Sequence, residues 1–323
     1  MCFIRMGGHL KKDNGWDKFF EDNERYSDII NGIGCQGQQI VKASDLSELD
    51  IKVSGKYRDM LRKAAFGVGF AIIGIENQET IDYGLPIRIL EYDIGHYRRQ
   101  KNRIAKRNKY KIKNKCIDTS NLEKGEFLYK FFKSDKVYPV VTFILYAGEE
   151  PWKGPTSLHD VISFQDVPDA IQCLVENYKI HVVDIRRLKD TSIFKTDVKQ
   201  VFDFLKCTED EQAMLDLMEK DMYYKNMDID AYEVVKNYAN ISKAIHVENY
   251  QTEGGVNVCK AITDLIEDSR AEGREEGIKE GVKEGQAVVI LNMLNQDLSI
   301  EKICLYTGCD MEFVRAVKDG TVA

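Results

Sequence analysis

Proline is scarce, at 5 in 323 residues. With 43% hydrophobic and 31% charged residues, that excludes a largely disordered chain and describes a globular one with enough length to bury a full core. Long apolar runs are also lacking. The longest uncharged one, 64–75, is too short to cross a bilayer and reads as buried strand. The first residues, Met-Cys-Phe-Ile-Arg-Met-Gly-Gly, lack the apolar segment of a secretory leader, so a cytoplasmic protein with no membrane partner is expected. Cysteine occurs 8 times, but never as Cys-x-x-Cys and never beside a histidine at zinc-site spacing. Buried reduced thiols are the expectation. Acidic residues are absent from 98–115, a stretch rich in Lys and Arg, although the chain as a whole carries a formal charge of -7. The overall sign counts mildly against a nucleic-acid binder, and the local one counts for it.

What is present is a sequence of alternating element types. Trp16, Phe19, Phe20, Tyr26, Ile29 and Ile30 recur at helical spacing and predict one helix over 16–32, stopped by Gly32. Residues 49–54 alternate apolar and polar and predict a half-buried strand; 57–65 predict a second. Residues 69–76 form a nearly continuous apolar run, as in a strand buried on both faces. A helix is expected over 83–105, with Pro86 near its start and Ile87, Leu90, Ile94 and Tyr97 on its apolar face. Strands are predicted again over 138–146 and 179–185.

From about residue 195 the strand signals stop, and 196–206, 209–221, 228–246 and 256–272 read as helices. A period-four repeat follows, with glycines at 273, 277, 281 and 285 among Glu and Lys. Glycine weakens a helix by about 1 kcal/mol relative to alanine, while i,i+4 Glu–Lys pairs support one. A marginal solvated helix and a flexible linker both fit. The last residues predict two short helices about Gly308, with Asp310 capping the second, in a helix-turn-helix-like pattern. Asp310 and Glu312 beside Arg315 and Lys318 are a poor charge mix for a DNA groove, and favour interaction or oligomerisation. The expected division is 1–190, an α/β domain; 191–270, a helical region; and 271–323, the repeat helix and terminal module.

The chemistry-bearing residues are Asp59 and, seventeen residues on, Glu76-Asn77-Gln78. Glu76 closes the most hydrophobic strand, where a buried element meets solvent, and Asp59 sits at the preceding one. On neighbouring strands the two carboxylates would converge on one cation. Mg²⁺ takes oxygen ligands, polarises a phosphoryl group and lowers the pKa of a bound water. From spacing alone, an Asp and a Glu at strand ends more often cap or solvate.

Several segments together are similar to the PD-(D/E)XK nuclease-transposase family, in its Rpn (recombination-promoting nuclease) group. They are Lys42-Ala-Ser-Asp45-Leu-Ser-Glu48-Leu-Asp50, Tyr57-Arg58-Asp59, Gly74-Ile-Glu76-Asn77-Gln78, Pro86-Ile-Arg88 through Tyr92-Asp93, Pro139-Val-Val-Thr-Phe-Ile-Leu-Tyr146-Ala-Gly, and Trp152-Lys-Gly-Pro-Thr-Ser-Leu-His159. Asn226-Met-Asp-Ile-Asp and the Gly/Glu/Lys repeat extend the likeness over nearly the whole chain. The resemblance implies a restriction-endonuclease-like core (α-β-β-β-α-β, a mixed sheet between helices) followed by an all-helical C-terminal region. It implies Mg²⁺- or Mn²⁺-dependent DNA cleavage linked to recombination or mobile elements. Asp59 and Glu76 then ligate the metal with the backbone carbonyl of Asn77, and Gln78 stands where the wider superfamily has lysine. No proline precedes Asp59, and the Gln78 amide does not titrate, so it orients water or phosphate rather than acting as a base. The alternative is an inert DNA-binding or oligomeric scaffold of the same fold, a homo-oligomer forming through the C-terminal helices.

Arg88, Arg98, Arg99, Lys101, Arg103, Lys106 and Arg107 are the candidates for contacting the DNA backbone, with counterion release driving affinity. His96 and His159 read as structural. Glu21 and Glu24 are the acids of the first helix that this superfamily sometimes recruits.

Overall fold

In the computed structural model, described residues are 10–48, 60–66, 69–238 and 247–321. They form two compact units, one running to Val258 and one from Cys259 onward. The first is mixed α/β.

Its sheet has five strands in chain order: β1 (Leu46–Glu48), β2 (Met60–Phe66), β3 (Gly69–Gln78), β4 (Val140–Tyr146) and β5 (His181–Asp184). β1–β2–β3 is an antiparallel meander, while β4 and β5 run parallel to β3. The parallel β3–β4 step needs a crossover. Helix α3 (Leu85–Lys113) lies within it. Strand β3 is central and buried, as its unbroken apolar run predicts, with Ile72, Ile73 and Ile75 at 5%, 4% and 0% exposure. The expected strand over 49–54 lies outside the described residues.

The single helix expected over 16–32 is three pieces: α1 (Leu10–Phe19), α2 (Asn23–Ile29) and a π turn, Ile30–Gly34. The interruption has a local cause. The Asp22 side chain accepts from the Glu24 amide at 2.7 Å, starting a new helix at Asn23. α2 packs on the sheet face that carries Arg62, Ile73 and Phe143. Tyr26 donates to the Ile73 carbonyl at 2.8 Å, Arg62 lies over the Tyr26 ring, and a Cβ on Gly34 would come within 2.9 Å of Phe143.

α3 covers the other face, but not with the stripe its sequence advertises. Ile87, Ile94 and Tyr97 are exposed; Leu85, Ile89, Asp93 and His96 are buried. Leu85 and Ile89 cluster with Ile144 of β4 and Ile180. Asp93 is tolerated there because Thr142 Oγ1 donates to it at 2.9 Å and the Tyr178 hydroxyl donates as well. The helix also runs past residue 105 to Lys113, since Lys and Arg are good helix formers. It stops where Lys115 takes a left-handed φ of 54°. Short helices α4 (Lys124–Tyr129) and α5 (Asp169–Gln172) lie in the connections flanking β4.

Helices α6 (Val198–Cys207), α7 (Glu211–Lys220) and α8 (Ile229–Tyr238) complete the first unit. α8 lies along α1, with Trp16 donating to the Tyr238 hydroxyl at 2.8 Å. The C-terminal half is not all-helical. A two-stranded hairpin, β6 (Gln251–Thr252) with β7 (Gly255–Val256), turns at Gly254 (φ 99°) and is too short for a periodicity signal. In the second unit α9 (Val258–Leu294) is continuous through the glycine repeat, so the helix reading prevails over the linker. α10 (Ile300–Thr307) and α11 (Met311–Lys318) meet at Gly308, and Asp310 caps α11 by accepting from Phe313. Ala287, Ile290, Ile303, Val314 and Val317 form this unit's core. No helix among the described residues is long and apolar enough to cross a membrane. The seven described cysteines form no disulfide, but none is buried, and Cys116 and Cys173 are exposed.

Candidate active site

The sheet's alternation decides where each candidate points. Glu76 pairs in register with Ile144, whose side chain packs against α3, so Glu76 faces α3 as well. Asn77 faces the α2 side, and Gln78 returns to the face of Glu76. Glu76 is 5% exposed and Asn77 8%, whereas Gln78 is half-buried at the strand end.

A buried carboxylate needs a partner. Arg88, one turn into α3, places Nη2 at 3.3 Å from Glu76 Oε1 and Nη1 at 3.1 Å from Asp82 Oδ2. Asp82 also accepts from the Gly84 amide at 2.8 Å, which fixes the turn into the helix. Arg88, named from sequence as a phosphate contact, therefore sits between two carboxylates. Asp82 was missed because its role depends on how α3 docks, which no local pattern records.

The far wall is the segment after β4. Tyr146 pairs with Gln78, donates to the Glu150 carbonyl at 2.8 Å and stacks edge-on against Trp152. Burial pushes the Tyr146 hydroxyl pKa up, so it stays a neutral donor. A Cβ on Gly148 would collide with the Tyr146 hydroxyl and the Glu79 carbonyl, so only glycine lets these segments close together. Asp184, at the end of β5, accepts from the Trp152 amide at 3.1 Å, and Arg187 holds the Gly148 carbonyl at 3.2 Å. The rim of the site is thereby fixed on three elements.

Asp59 lies outside the described residues. The described β2–β3 ladder ends at Met60↔Ile75, one residue short of Asp59 and Glu76. Even-numbered residues of β3 direct their backbone groups to β4, as Ile72 and Gln78 show through bonds to Pro139 and Ala147 at 2.8 and 2.9 Å. The Asn77 carbonyl therefore points to the β2 side. Glu76 carboxylate, Asn77 carbonyl and Gln78 amide are all oxygen donors, a set that suits Mg²⁺ or Mn²⁺ and not zinc. Among the described residues no three His, Cys, Asp or Glu side chains group as a metal site.

The remaining candidates lie elsewhere. Arg98, Lys101, Arg103, Lys106 and Arg107 are exposed along the second half of α3, and Arg99 is half-buried. Tyr97 Oη accepts from the Val140 amide at 3.0 Å and Gln100 holds both backbone groups of Tyr138 at 2.7 and 3.1 Å. These bonds tie the middle of α3 to the start of β4, about 13 Å along the strand from the level of Glu76. Arg103 lies about 22 Å further along the helix axis than Arg88. His96 is buried at 6%, and His159 Nε2 bonds the Val175 carbonyl at 2.8 Å beside the Phe164 ring. Glu21 and Glu24 are exposed where α1 meets α2.

Set against family models, curated proteins and solved structures, the chain matches none of them.

Proposed function

We propose that the protein is a DNA endonuclease that hydrolyses phosphodiester bonds with Mg²⁺ or Mn²⁺, using Asp59, Glu76, the Asn77 carbonyl and Gln78. The observation that carries the reading is a nearly dehydrated carboxylate, Glu76, near the end of the central strand, two residues before half-buried Gln78. Its support is the antiparallel meander joined through α3 to two parallel strands, the strand plan expected of a restriction-endonuclease-like core. The recombination or mobile-element setting and the cytoplasmic location rest on the sequence readings alone.

In this scheme Asp59 and Glu76 hold the cation, which when bound supplies positive charge to the scissile phosphate. Arg88 fixes the rotamer of Glu76 and offsets its charge before substrate arrives. Gln78 donates through its amide to a phosphate oxygen or orients water, and takes no proton. Tyr146 and Trp152 wall the site and limit water access. The basic half of α3 holds the duplex at a distance from the cut. A second copy would pair through the second unit, where Ile278, Val282 and Val289 are exposed on α9.

Purified protein converts supercoiled plasmid to nicked circles in Mg²⁺, and Glu76→Gln and Asp59→Ala abolish this. Equal nicking by parent and variants would assign the activity to a contaminant. One observation favours a scaffold that binds DNA without turnover. The Arg88 guanidinium already occupies one oxygen of Glu76 and competes with a cation. DNA retention on filters with no metal-dependent nicking would select that reading.

A further inference from the structure

At the end of α3 remote from Glu76, residues 134–138 cross beside the helix and leave a cleft of about 420 Å³. Lys63, Arg103, Arg107 and Lys136 line it, together with Asp135, Gln100 and Tyr138. The one carboxylate is already satisfied. Asp135 is 9% exposed and accepts from Arg107 at 2.7 Å, Asn108 at 2.6 Å and the Phe132 amide at 2.8 Å. It therefore anchors the wall and leaves the cleft cationic.

Arg103 is exposed and makes no hydrogen bond or ion pair among the described residues. Lys136 reaches only the Lys133 carbonyl, at 3.4 Å, and Lys63 lies 5.4 Å over the Tyr138 ring. Arg107 is paired with Asp135, so Lys63, Arg103 and Lys136 leave the cleft with a surplus of positive charge, and an anion there relieves repulsion as well as adding contacts. Arg103 and Arg107 are guanidiniums one helical turn apart, and the fork of Arg103, which is not committed to Asp135, matches phosphate oxygens. The cationic row does not stop at the cleft. Arg99, Arg103 and Arg107 follow each other at i,i+4, about 6 Å apart along the axis, and Lys106 and Lys109 are exposed beside them. A single small anion would meet only the cleft, whereas a polymer of phosphates would also reach exposed Lys106 and Lys109.

We infer that this cleft is a phosphate-binding site, and that its phosphate belongs to a nucleic-acid strand that continues along α3. The choice of nucleic acid rests on the proposed function; the anion site rests on the geometry of the cleft alone.

The test uses the full chain in EDTA, where cleavage cannot intervene, and fluorescent single- and double-stranded oligonucleotides of about 20 residues. Arg103→Ala/Lys136→Ala alters two exposed side chains and spares the Arg107–Asp135 anchor. Binding weakens about tenfold and the log–log salt dependence becomes shallower by about one to two ions. The charge-keeping pair Arg103→Lys/Lys136→Arg keeps the parent's salt slope and binds more tightly than the double alanine variant. Nicking is read separately in Mg²⁺, where Glu76→Gln abolishes it and Arg103→Ala/Lys136→Ala lowers it only through weaker binding, so loss of catalysis and loss of the cleft are distinguished. Unchanged affinity and salt slope in the double alanine variant would overturn the site. Pyrophosphate that binds the parent as tightly as the oligonucleotide and displaces it would overturn the assignment to a nucleic-acid strand.

Discussion

Each face of the sheet carries an arginine between two acids, and the two arrangements differ in grip. On the α2 face Arg25 pairs with Asp197 at 2.7 Å and Asp228 at 2.8 Å, its side chain 8% exposed and its guanidinium 4.4 Å over the Phe19 ring. On the α3 face Arg88 pairs with Glu76 at 3.3 Å and Asp82 at 3.1 Å, its side chain 31% exposed. The first is a clamp among elements far apart in sequence. Tyr223 also donates to Asp197 at 2.6 Å, and burial followed by that bond drives its hydroxyl pKa far up, so it does not ionise. The second is looser, wetter and at a strand end, with the buried member of the pair being the acid. The same chemistry serves to close the fold in one place and to hold a carboxylate ready in the other.

The largest effect expected from this contrast is on stability at Arg25. Arg25→Ala leaves Asp197 and Asp228 facing each other without the cation and costs about 3–5 kcal/mol, measured as a lower urea midpoint at unchanged slope. Thr142→Val comes next. It strips one donor from buried Asp93 and costs about 1–3 kcal/mol, which sharpens the claim that α3 docks by its polar stripe. Asp93→Asn, with its own donors, should cost less than Thr142→Val. Arg88→Ala should cost less than Arg25→Ala, because Arg88 is 31% exposed and water replaces part of its contact with Glu76, while raising Mn²⁺ affinity several-fold by freeing an oxygen of Glu76. A stability loss equal to that of Arg25→Ala, with no change in metal affinity, would erase the distinction between the two arginines.

The smallest effect is in acid. Burial pushes the Asp228 carboxyl up, but the Arg25 hydrogen bond and charge, with the Asp230 and Ala231 amides, outweigh it and hold it below its usual 3.8. The stabilisation is complete above that value and is lost as pH falls through the lowered one. Unfolding between pH 5 and pH 2 should therefore be steeper in the parent than in Arg25→Ala.

How much of this was legible in the sequence depended on the range of the signal. β3, β4 and the start of α3 at Pro86 follow from local composition, and so does Glu76 at a strand end. The buried face of α3 did not follow, because two stripes compete. Ile87, Ile94 and Tyr97 are the more apolar, yet Leu85, Ile89, Asp93 and His96 are inside, since Thr142 and Tyr178 satisfy Asp93 only after the sheet has formed. The break at Asp22 was readable as a capping aspartate but was masked by aromatic spacing that continues across it. The Glu76–Arg88–Asp82 arrangement was not legible, because it joins a strand, a turn and a helix whose relative placement no periodicity encodes. The cleft at Lys63 and Lys136 was hidden for the same reason, with only its α3 half visible as a basic stretch.

The central claim is that Glu76 and Asp59 share one divalent ion. Mn²⁺ binding followed by electron paramagnetic resonance, on the parent, Asp59→Asn and Glu76→Gln at neutral pH, tests it directly. One site in the parent, weakened at least tenfold in each single variant and no further in the double, is the predicted result. Undiminished Mn²⁺ binding in either single variant would contradict the account.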